Sequence, residues 1–315
     1  MGRIEILGQV RNTLIKAGFY VSELFSVRPL SFDLIARRDN SLLIIKVLTN
    51  IDSISEDVAD ELNKLATLLK GSPLIIGERS GSGVLTDEVV YDRFGIFSIT
   101  PKTLYINLIE GIPIEIFAGP GGFYVSLNNK KLKQNRIEKN ISLGTFAKSI
   151  KVSRRTVQMY EKGMNTSIDI AIRIEDLLET NITIPMDILK QKISKREIKS
   201  KITENEKFRI FQREIFSILE HVGYKVTPLE RAPFEAVSED KKEILLTCID
   251  EYNKNFLKKA HVISSISKIT EKYAVLITNR DINKKRIEGT PLIVKKELKK
   301  TRGPEELFKL VLERL

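Results

Sequence analysis

Apolar positions along this chain change rhythm several times, and the changes divide it into elements. LIKAGFYVS (14–22) closes a helical stretch at Gly18 and passes through Phe19 into a strand-like run. SFDLIARRDNSLLIIKV (31–47) reads as a strand, a charged hairpin turn and a second strand apolar enough to be buried. A helix over 53–69, a strand in PLIIGER (73–79) and a helix opened by Pro101 in PKTLYINL (101–108) follow. Helices alternating with strands in this way predict an α/β sandwich with a partly parallel sheet.

The same series returns about two hundred residues later. LEHVGYKVT (219–227) matches 14–22, with Gly223 in the place of Gly18 as the residue that best tolerates a left-handed helix cap. PFEAVSEDKKEILLTCI (233–249) matches 31–47 without a gap, so that Phe32 falls on Phe234, Asp33 on Glu235 and Lys46 on Cys248. A helix over 254–269, the strand AVLITNR (274–280) and the helix PEELFKLV (304–311) complete the series, at offsets of 201 to 205 residues. Agreement of Gly, Phe, acidic and Pro positions favours a duplication over chance likeness between two α/β domains. The expected organisation is an α/β domain over 1–125, an all-α insert over 126–190, a charged linker over 191–207 (within KQKISKREIKSKITENEK) and a second α/β domain over 208–315. GIPIEIFAGPGGFYVSLNNK (111–130) predicts a hairpin-like link whose connectors bury little. Its glycines precede Phe123 rather than Lys and Ser or Thr, so it does not cradle a phosphate.

The insert reads as short helices: KKLKQNRIEKN, LGTFAKSI, RRTVQMYEKG and DIAIRIEDLL. Only Lys151, Val152 and Ser153 separate the second from the third, the length of a helix-turn-helix turn, and Ser153 is a good N-cap. Leu143, Phe146, Ala147 and Ile150 form one face of the second helix, continued by Val157 and Tyr160, and by Ile170, Ile174 and Leu177 beyond. Arg154, Arg155, Thr156 and Gln158, with Lys162 at the end, are left facing outward. Arg can reach guanine and Gln can reach adenine, each through two hydrogen bonds. Lys131, Lys133 and Lys148 are placed to hold phosphates.

Charge sharpens this reading. The chain carries 52 Lys and Arg against 41 Asp and Glu, a net charge of +11, which favours polyanionic partners. Between 130 and 165, ten Lys or Arg face only Glu138 and Glu161, so this stretch supplies most of the surplus. Cys248 is the only cysteine, and His221 and His261 have no thiol neighbours at ligand spacing; neither a disulfide framework nor a metal site is expected, and no cofactor is implied. No run approaches the roughly 18 apolar residues of a membrane span. The protein is therefore expected to be cytoplasmic, associated with the nucleoid, and without a membrane partner.

The stretch ISLGTFAKSIKVSRRTVQMYEKG (141–163) resembles the phage-repressor, Cro-like helix-turn-helix family, carrying its pattern at Ser142, Ala147, Val152–Ser153, Thr156–Val157, Glu161 and Gly163. Many members open the second helix with a Gln that contacts DNA. Leu143 stands there instead, so base contact from that helix is not implied. SFDLIARRDNSLLIIKVL and SPLIIGER beside this head resemble archaeal HTH-type transcriptional regulatory proteins, which implies transcription control. The first copy also resembles PD-(D/E)xK nucleases, in which two carboxylates hold Mg²⁺ and a Lys assists the attacking water. It has Asp33 and Lys46, but Ile44 stands where the second acid belongs, and the second copy offers Glu235, Leu246 and Cys248. Lys46 is then a phosphate contact, the salt-bridge partner of Asp33 or a strand-end lysine reaching solvent, and Cys248 a small buried hydrophobe.

These lines converge on a multidomain α/β plus all-α protein: two restriction-endonuclease-like α/β domains, both degenerate, flank a helix-turn-helix. The expected function is that of a non-enzymatic, sequence-specific regulator of double-stranded DNA, with the recognition helix in the major groove. A homodimer is expected because paired half-sites compensate for one short reading helix, and transcription machinery is a possible further partner. Two rivals stand beside it. One is a structure-selective Mg²⁺-dependent nuclease or resolvase in which Asp52 or Glu56 replaces the missing acid. The other is a non-specific architectural DNA-binding protein.

Overall fold

The computed structural model of the 315-residue chain describes residues 2–23, 30–191, 193 and 208–315. The charged linker expected over 191–207 falls, but for Gln191 and Ile193, outside the described residues. Internal contacts divide the chain into two compact units. One holds residues 1–17, 48–53 and 74–191; the other holds 18–47, 54–73 and 192–315. The architecture is mixed α/β, as the alternation of rhythms requires.

Helix α1 (Arg3–Lys16) buries Ile6, Val10, Thr13 and Leu14, one stripe at helical spacing. Strand β1 (Tyr20–Val21) leads to β2 (Leu34–Arg38) and β3 (Ser41–Val47), an antiparallel meander with Leu34 opposite Ile45 and Ile35 opposite Ile44. Helix α2 (Glu56–Leu69) turns Ala59, Leu62, Leu65, Ala66 and Leu69 inward. Strand β4 (Ser72–Ile76) precedes a small hairpin of β5 (Arg79–Ser80) and β6 (Gly83–Val84), then β7 (Val89–Arg93) and β8 (Ile96–Ile99). β8 runs parallel to β4 and antiparallel to β7, and α3 (Pro101–Tyr105) starts at the expected Pro101.

The middle of the chain departs from the loose link that the sequence suggests. Strands β9 (Ile116–Gly119) and β10 (Gly122–Val125) form the expected hairpin, but β9 also pairs in parallel with β7. Three helices follow: α4 (Asn129–Glu138), α5 (Leu143–Ser149) and α6 (Arg154–Tyr160). Beyond them β11 (Thr166–Ser167) returns to pair with β10 before α7 (Ile168–Leu178) begins. Val125 and Leu127 enter the same buried cluster as Phe146, Val157 and Ile174. The helices are therefore fastened to strands by backbone hydrogen bonds and shared core, because the apolar residues flanking GPGG have no other place to be buried.

The last third runs through a similar order of elements to the first. Helix α8 (Ile210–Val222) ends on Gly223, at φ 109°, and leads into β12 (Lys225–Pro228), β13 (Ala236–Glu239) and β14 (Ile244–Ile249). The register is the one found in the first copy: Ala236 faces Thr247 and Val237 faces Leu246, each pair 202 residues after Leu34–Ile45 and Ile35–Ile44. Helix α9 (Lys254–Thr270), β15 (Tyr273–Thr278), β16 (Arg286–Ile287) and β17 (Thr290–Val294) follow, with β17 parallel to β15 as β8 is to β4. Helices α10 (Lys295–Leu298) and α11 (Pro304–Leu312) close the chain.

Strands β8 and β17 are absent from the series read in the sequence. Each is entered by a two-residue turn with both residues at positive φ, Phe94–Gly95 (56° and 76°) and Glu288–Gly289 (49° and 75°). That conformation matches strand twist in tight hairpins and favours Gly at the second place. FG and EG before a short apolar run were the legible signals.

In the second unit, segments from both copies are stitched together. The Ser31 N–H donates to the Arg231 carbonyl (2.7 Å), and Lys64 donates to the Pro228 carbonyl (2.6 Å). The Glu61 carboxylate accepts from the N–H groups of Glu230 and Arg231 (2.9 and 2.5 Å), while burial pushes its carboxyl above the usual range.

A buried carboxylate opens the central hairpin of each copy. Asp33 Oδ2 accepts from the Val47 N–H (2.8 Å), and Glu235 Oε2 accepts from the Ile249 N–H (2.7 Å). Each needs a counter-charge, since an unpaired ion in an apolar interior is costly. Lys46 Nζ lies 3.6 Å from Asp33 Oδ1, the salt bridge that was one of the three readings of Lys46. In the second copy Cys248 occupies that register position, and Lys259 from α9 takes over, 2.5 Å from Glu235 and 2.9 Å from Asp250. We expect Lys259→Met to destabilise the second unit by about 3–5 kcal/mol, because two carboxylates lose their shared cation. Denaturant titration followed by circular dichroism measures this, and a loss under about 1 kcal/mol would show that the cluster holds without the lysine.

Candidate nucleic-acid interface

The helix-turn-helix is built by three similar caps. Asn128 Oδ1 accepts from the Lys131 N–H (3.1 Å), Ser142 Oγ from the Thr145 N–H (3.1 Å) and Ser153 Oγ from the Thr156 N–H (3.0 Å). Side-chain oxygens at these positions satisfy N–H groups that the first helical turn leaves unpaired. The Ser142 and Thr145 hydroxyls also meet at 2.9 Å, and those of Ser153 and Thr156 at 2.8 Å. Ser153 and Thr156 thus fix the start of α6, and Thr156 is only half-exposed.

Between α5 and α6 the chain reverses through Lys151, at φ 59°, and the Val152 N–H reaches back to the Ala147 carbonyl (2.9 Å). Phe146, Ala147, Ile150, Val157 and Tyr160 are buried in one cluster with Leu132, Ala171, Ile174 and Leu178. The small Ala147 lets α5 and α6 cross closely. Leu143, Ile170 and Leu177, expected in this core, pack at its edge, half-buried.

One ion pair lies inside the head. Arg136 Nε donates to Glu161 Oε1 (2.6 Å) and its Nη1 to the Ile141 carbonyl (2.9 Å), with both charged side chains about nine-tenths buried. The pair ties α4 to the residue that caps the C-terminus of α6, so the angle of α6 depends on it. It also removes Arg136 and Glu161 from the surface charge. Lys139 pairs with Glu179 (2.6 Å), and Lys131 Nζ donates to the Asn181 carbonyl (2.7 Å). Lys131, expected on a phosphate, thereby also links α4 to the segment after α7.

What remains outward is a compact face. With Val157 and Tyr160 inward, α6 exposes Arg154, Arg155, Gln158 and Met159, and Lys162 follows beyond its end. Lys130, Lys133, Lys148, Lys151, Arg154, Arg155 and Lys162 form no ion pair with a carboxylate among the described residues. Met159, 43% exposed on the outward face, is not among the outward residues that the sequence pattern singles out. Its neighbours Gln158 and Tyr160, one outward and one inward, were the available clue.

The buried carboxylate centres of the two α/β regions differ from this face. Asp33 and Lys46 are tied to Val47 and Leu30, the latter through a 2.7 Å bond from Lys46 Nζ to the Leu30 carbonyl. Asp52, a candidate replacement acid, is bound to the Gly81 N–H and to Arg93, both at 2.5 Å. Those hydrogen bonds, the Gly81 N–H first, hold its carboxyl below the usual range.

In the second copy the sequence showed neither a second acid nor a lysine near Glu235, yet Asp250 and Lys259 assemble beside it. Lys259 lies on a helix, where no strand spacing could reveal it. Asp250 immediately follows β14 and was open to notice. Asp250 also accepts from Arg209 Nη1 (3.1 Å) and the Glu251 N–H (2.9 Å). Burial, then the Glu235 charge, push the Cys248 thiol well above its usual range, so it stays protonated, consistent with a small buried hydrophobe. Among the described residues no group of three or more His, Cys, Asp or Glu side chains is placed to hold a metal ion, and no helix is long and apolar enough to cross a membrane.

Comparison with known proteins agrees with this layout. Residues 3–114 match the model of a PD-(D/E)XK superfamily domain, and residues 132–184 match a helix-turn-helix model. A protein of Methanosarcina acetivorans is 39% identical over 316 residues, spanning 98% of this chain and 96% of its own length. One of Methanosarcina barkeri is 38% identical with the same coverage, and one of Methanocella arvoryzae is 36% identical over 100% of this chain and 97% of its own. Each bears the name "Putative HTH-type transcriptional regulatory protein". No solved structure matches. With such identity held from end to end, across both the helix-turn-helix and the PD-(D/E)XK-like region, this chain belongs to that family of archaeal HTH-type transcriptional regulatory proteins.

Proposed function

We propose that the protein is a sequence-specific regulator that binds double-stranded DNA with α6 in the major groove. One observation carries this: α6 turns Val157 and Tyr160 into the core and presents Arg155, Gln158 and Met159 together, among cations that no described carboxylate neutralises. Such a face accumulates repulsion unless a polyanion meets it. Arg155 and Gln158 have the donors to read guanine and adenine edges, and Met159 offers an apolar surface to a thymine methyl. Lys133, Lys148 and Lys162 contact phosphates, which set register and affinity without reading sequence. Ser153 and Thr156 act by fixing the start of α6, and Lys131 by bracing α4. Two copies of the chain engage paired half-sites, because one α6 of seven residues spans few base pairs. The names of the relatives support transcription control as the outcome.

The PD-(D/E)XK match invites a second reading, DNA cleavage, which the side chains disfavour. Mg²⁺ needs several oxygen ligands, and here the Asp33 and Glu235 carboxylates are each already committed to a lysine and a backbone N–H. The two α/β copies, taken as a duplication, serve as a body for the reading head.

Arg155→Ala or Gln158→Ala should cost roughly 1–3 kcal/mol on a duplex selected from a random pool and relax base preference at one position. Lys133→Ala should weaken selected and random duplexes alike and lower the slope of log affinity against log salt by about 0.9. Titrations at several salt concentrations measure both; equal losses on selected and random DNA for all three variants would leave only a non-specific binder. Separately, duplex, nicked and four-way-junction DNA incubated with Mg²⁺ or Mn²⁺ should remain intact. Products that disappear in Asp33→Ala or Glu235→Gln would establish a nuclease instead.

A further inference from the structure

Gly144 is the second residue of α5, a place where glycine is a poor helix former and most residues would serve better. Its bare backbone lies against Arg154. A Cβ built on Gly144 would fall 2.7 Å from Arg154 Nη2, 2.8 Å from Nε and 3.0 Å from Cζ. The two nitrogens lie nearer than the carbon between them, so the guanidinium turns its Nε–Nη2 edge toward the bare backbone of Gly144. Any side chain at 144 would occupy that space. Arg154, the first residue of α6, therefore reaches back across the turn to α5 instead of projecting beside Arg155 and Gln158.

We propose that Gly144 is a positioning residue, opening a slot that holds the Arg154 guanidinium where α5 meets α6 so that it clamps a DNA backbone phosphate and does not read bases. This rests on the DNA-binding function proposed above. With the Nε–Nη2 edge turned toward Gly144, the end of the guanidinium formed by Nη1 and Nη2 remains available, and that end matches a phosphate through two parallel hydrogen bonds. Base reading requires the side chain to extend into the groove, and the contact with Gly144 draws it the other way. Lys148, Lys151 and Arg155 are exposed nearby in sequence, and no described carboxylate forms an ion pair with Arg154. Leu143 has no donor to give from α5, and Arg154 supplies one there from the following helix.

The test uses the full chain, duplexes selected by the wild type from a random pool, and random duplexes of equal length. Gly144→Ala and Arg154→Ala should each weaken both kinds of DNA by a similar factor and lower the salt slope by about 0.9, the release expected for one phosphate contact. Base preferences reselected with either variant should equal those of the wild type. The double variant should bind no more weakly than Arg154→Ala alone, since the glycine acts only through the arginine. Alanine is the better helix former, so thermal unfolding of Gly144→Ala at or above the wild-type midpoint separates displacement of Arg154 from loss of fold. Relaxed preference at one base pair in Arg154→Ala, or losses that multiply in the double variant, would overturn the assignment. So would wild-type binding by Gly144→Ala. A wild type that fails to bind duplex DNA would overturn the proposed function itself.

Discussion

Each α/β copy is organised around a carboxylate that has been taken out of water. Asp33 and Glu235 stand just before a strand and accept from the N–H of the residue that ends or follows the facing part of the next strand, Val47 or Ile249. A backbone hydrogen bond runs between the same hairpins in each case, from Asp33 to Ile45 and from Glu235 to Thr247. Sliding either hairpin by one residue would turn its apolar set outward and strand the carboxylate. The charge thereby sets register as well as demanding a partner. How the partner is supplied differs: Lys46 comes from the strand itself, Lys259 from the helix that covers it.

That difference explains why the second copy looks emptier in sequence than it is. Once Cys248 stands at the place of Lys46, the buried Glu235 would be isolated, and a lysine from α9 meets the need. Burial acts to lower the Lys259 ammonium, and the Glu235 charge, with the hydrogen bonds to Glu235 and Asp250, more than reverses this, keeping it charged. The cluster also takes in Asp250 and, through it, Arg209. A centre in which every carboxylate is already bound to a cation or an N–H is suited to holding a fold together, and poorly suited to exchanging a metal.

The reading head obeys a similar rule at its own scale. Arg136 and Glu161 neutralise each other inside it, Lys139 meets Glu179, and Lys131 is spent on a carbonyl. Cations that remain are gathered around α5 and α6. The pairing of β10 with β11 brings the segment after α6 onto the strands that carry the head. Its orientation therefore depends on a β-ladder, which is stiffer than the short connectors a sequence full of Gly and Pro at 119–122 suggests.

By itself the sequence determined the local features: the cap at Ser153, the turn at 151–153, the inward Phe146, Val157 and Tyr160, and the hairpin register shared by the two copies. These follow from residues at most a few positions apart, or from a match between two lengths of chain, so they are written in one dimension. Tertiary structure alone decided which charges pair. Arg136 with Glu161, Lys259 with Glu235, and Arg154 over Gly144 join residues 10 to 25 positions apart on different elements. Fixed periods of 2 or 3.6 place a side chain on a face, but they do not say what the face will meet. That choice belongs to packing, because a buried charge takes whichever opposite charge the fold brings within reach.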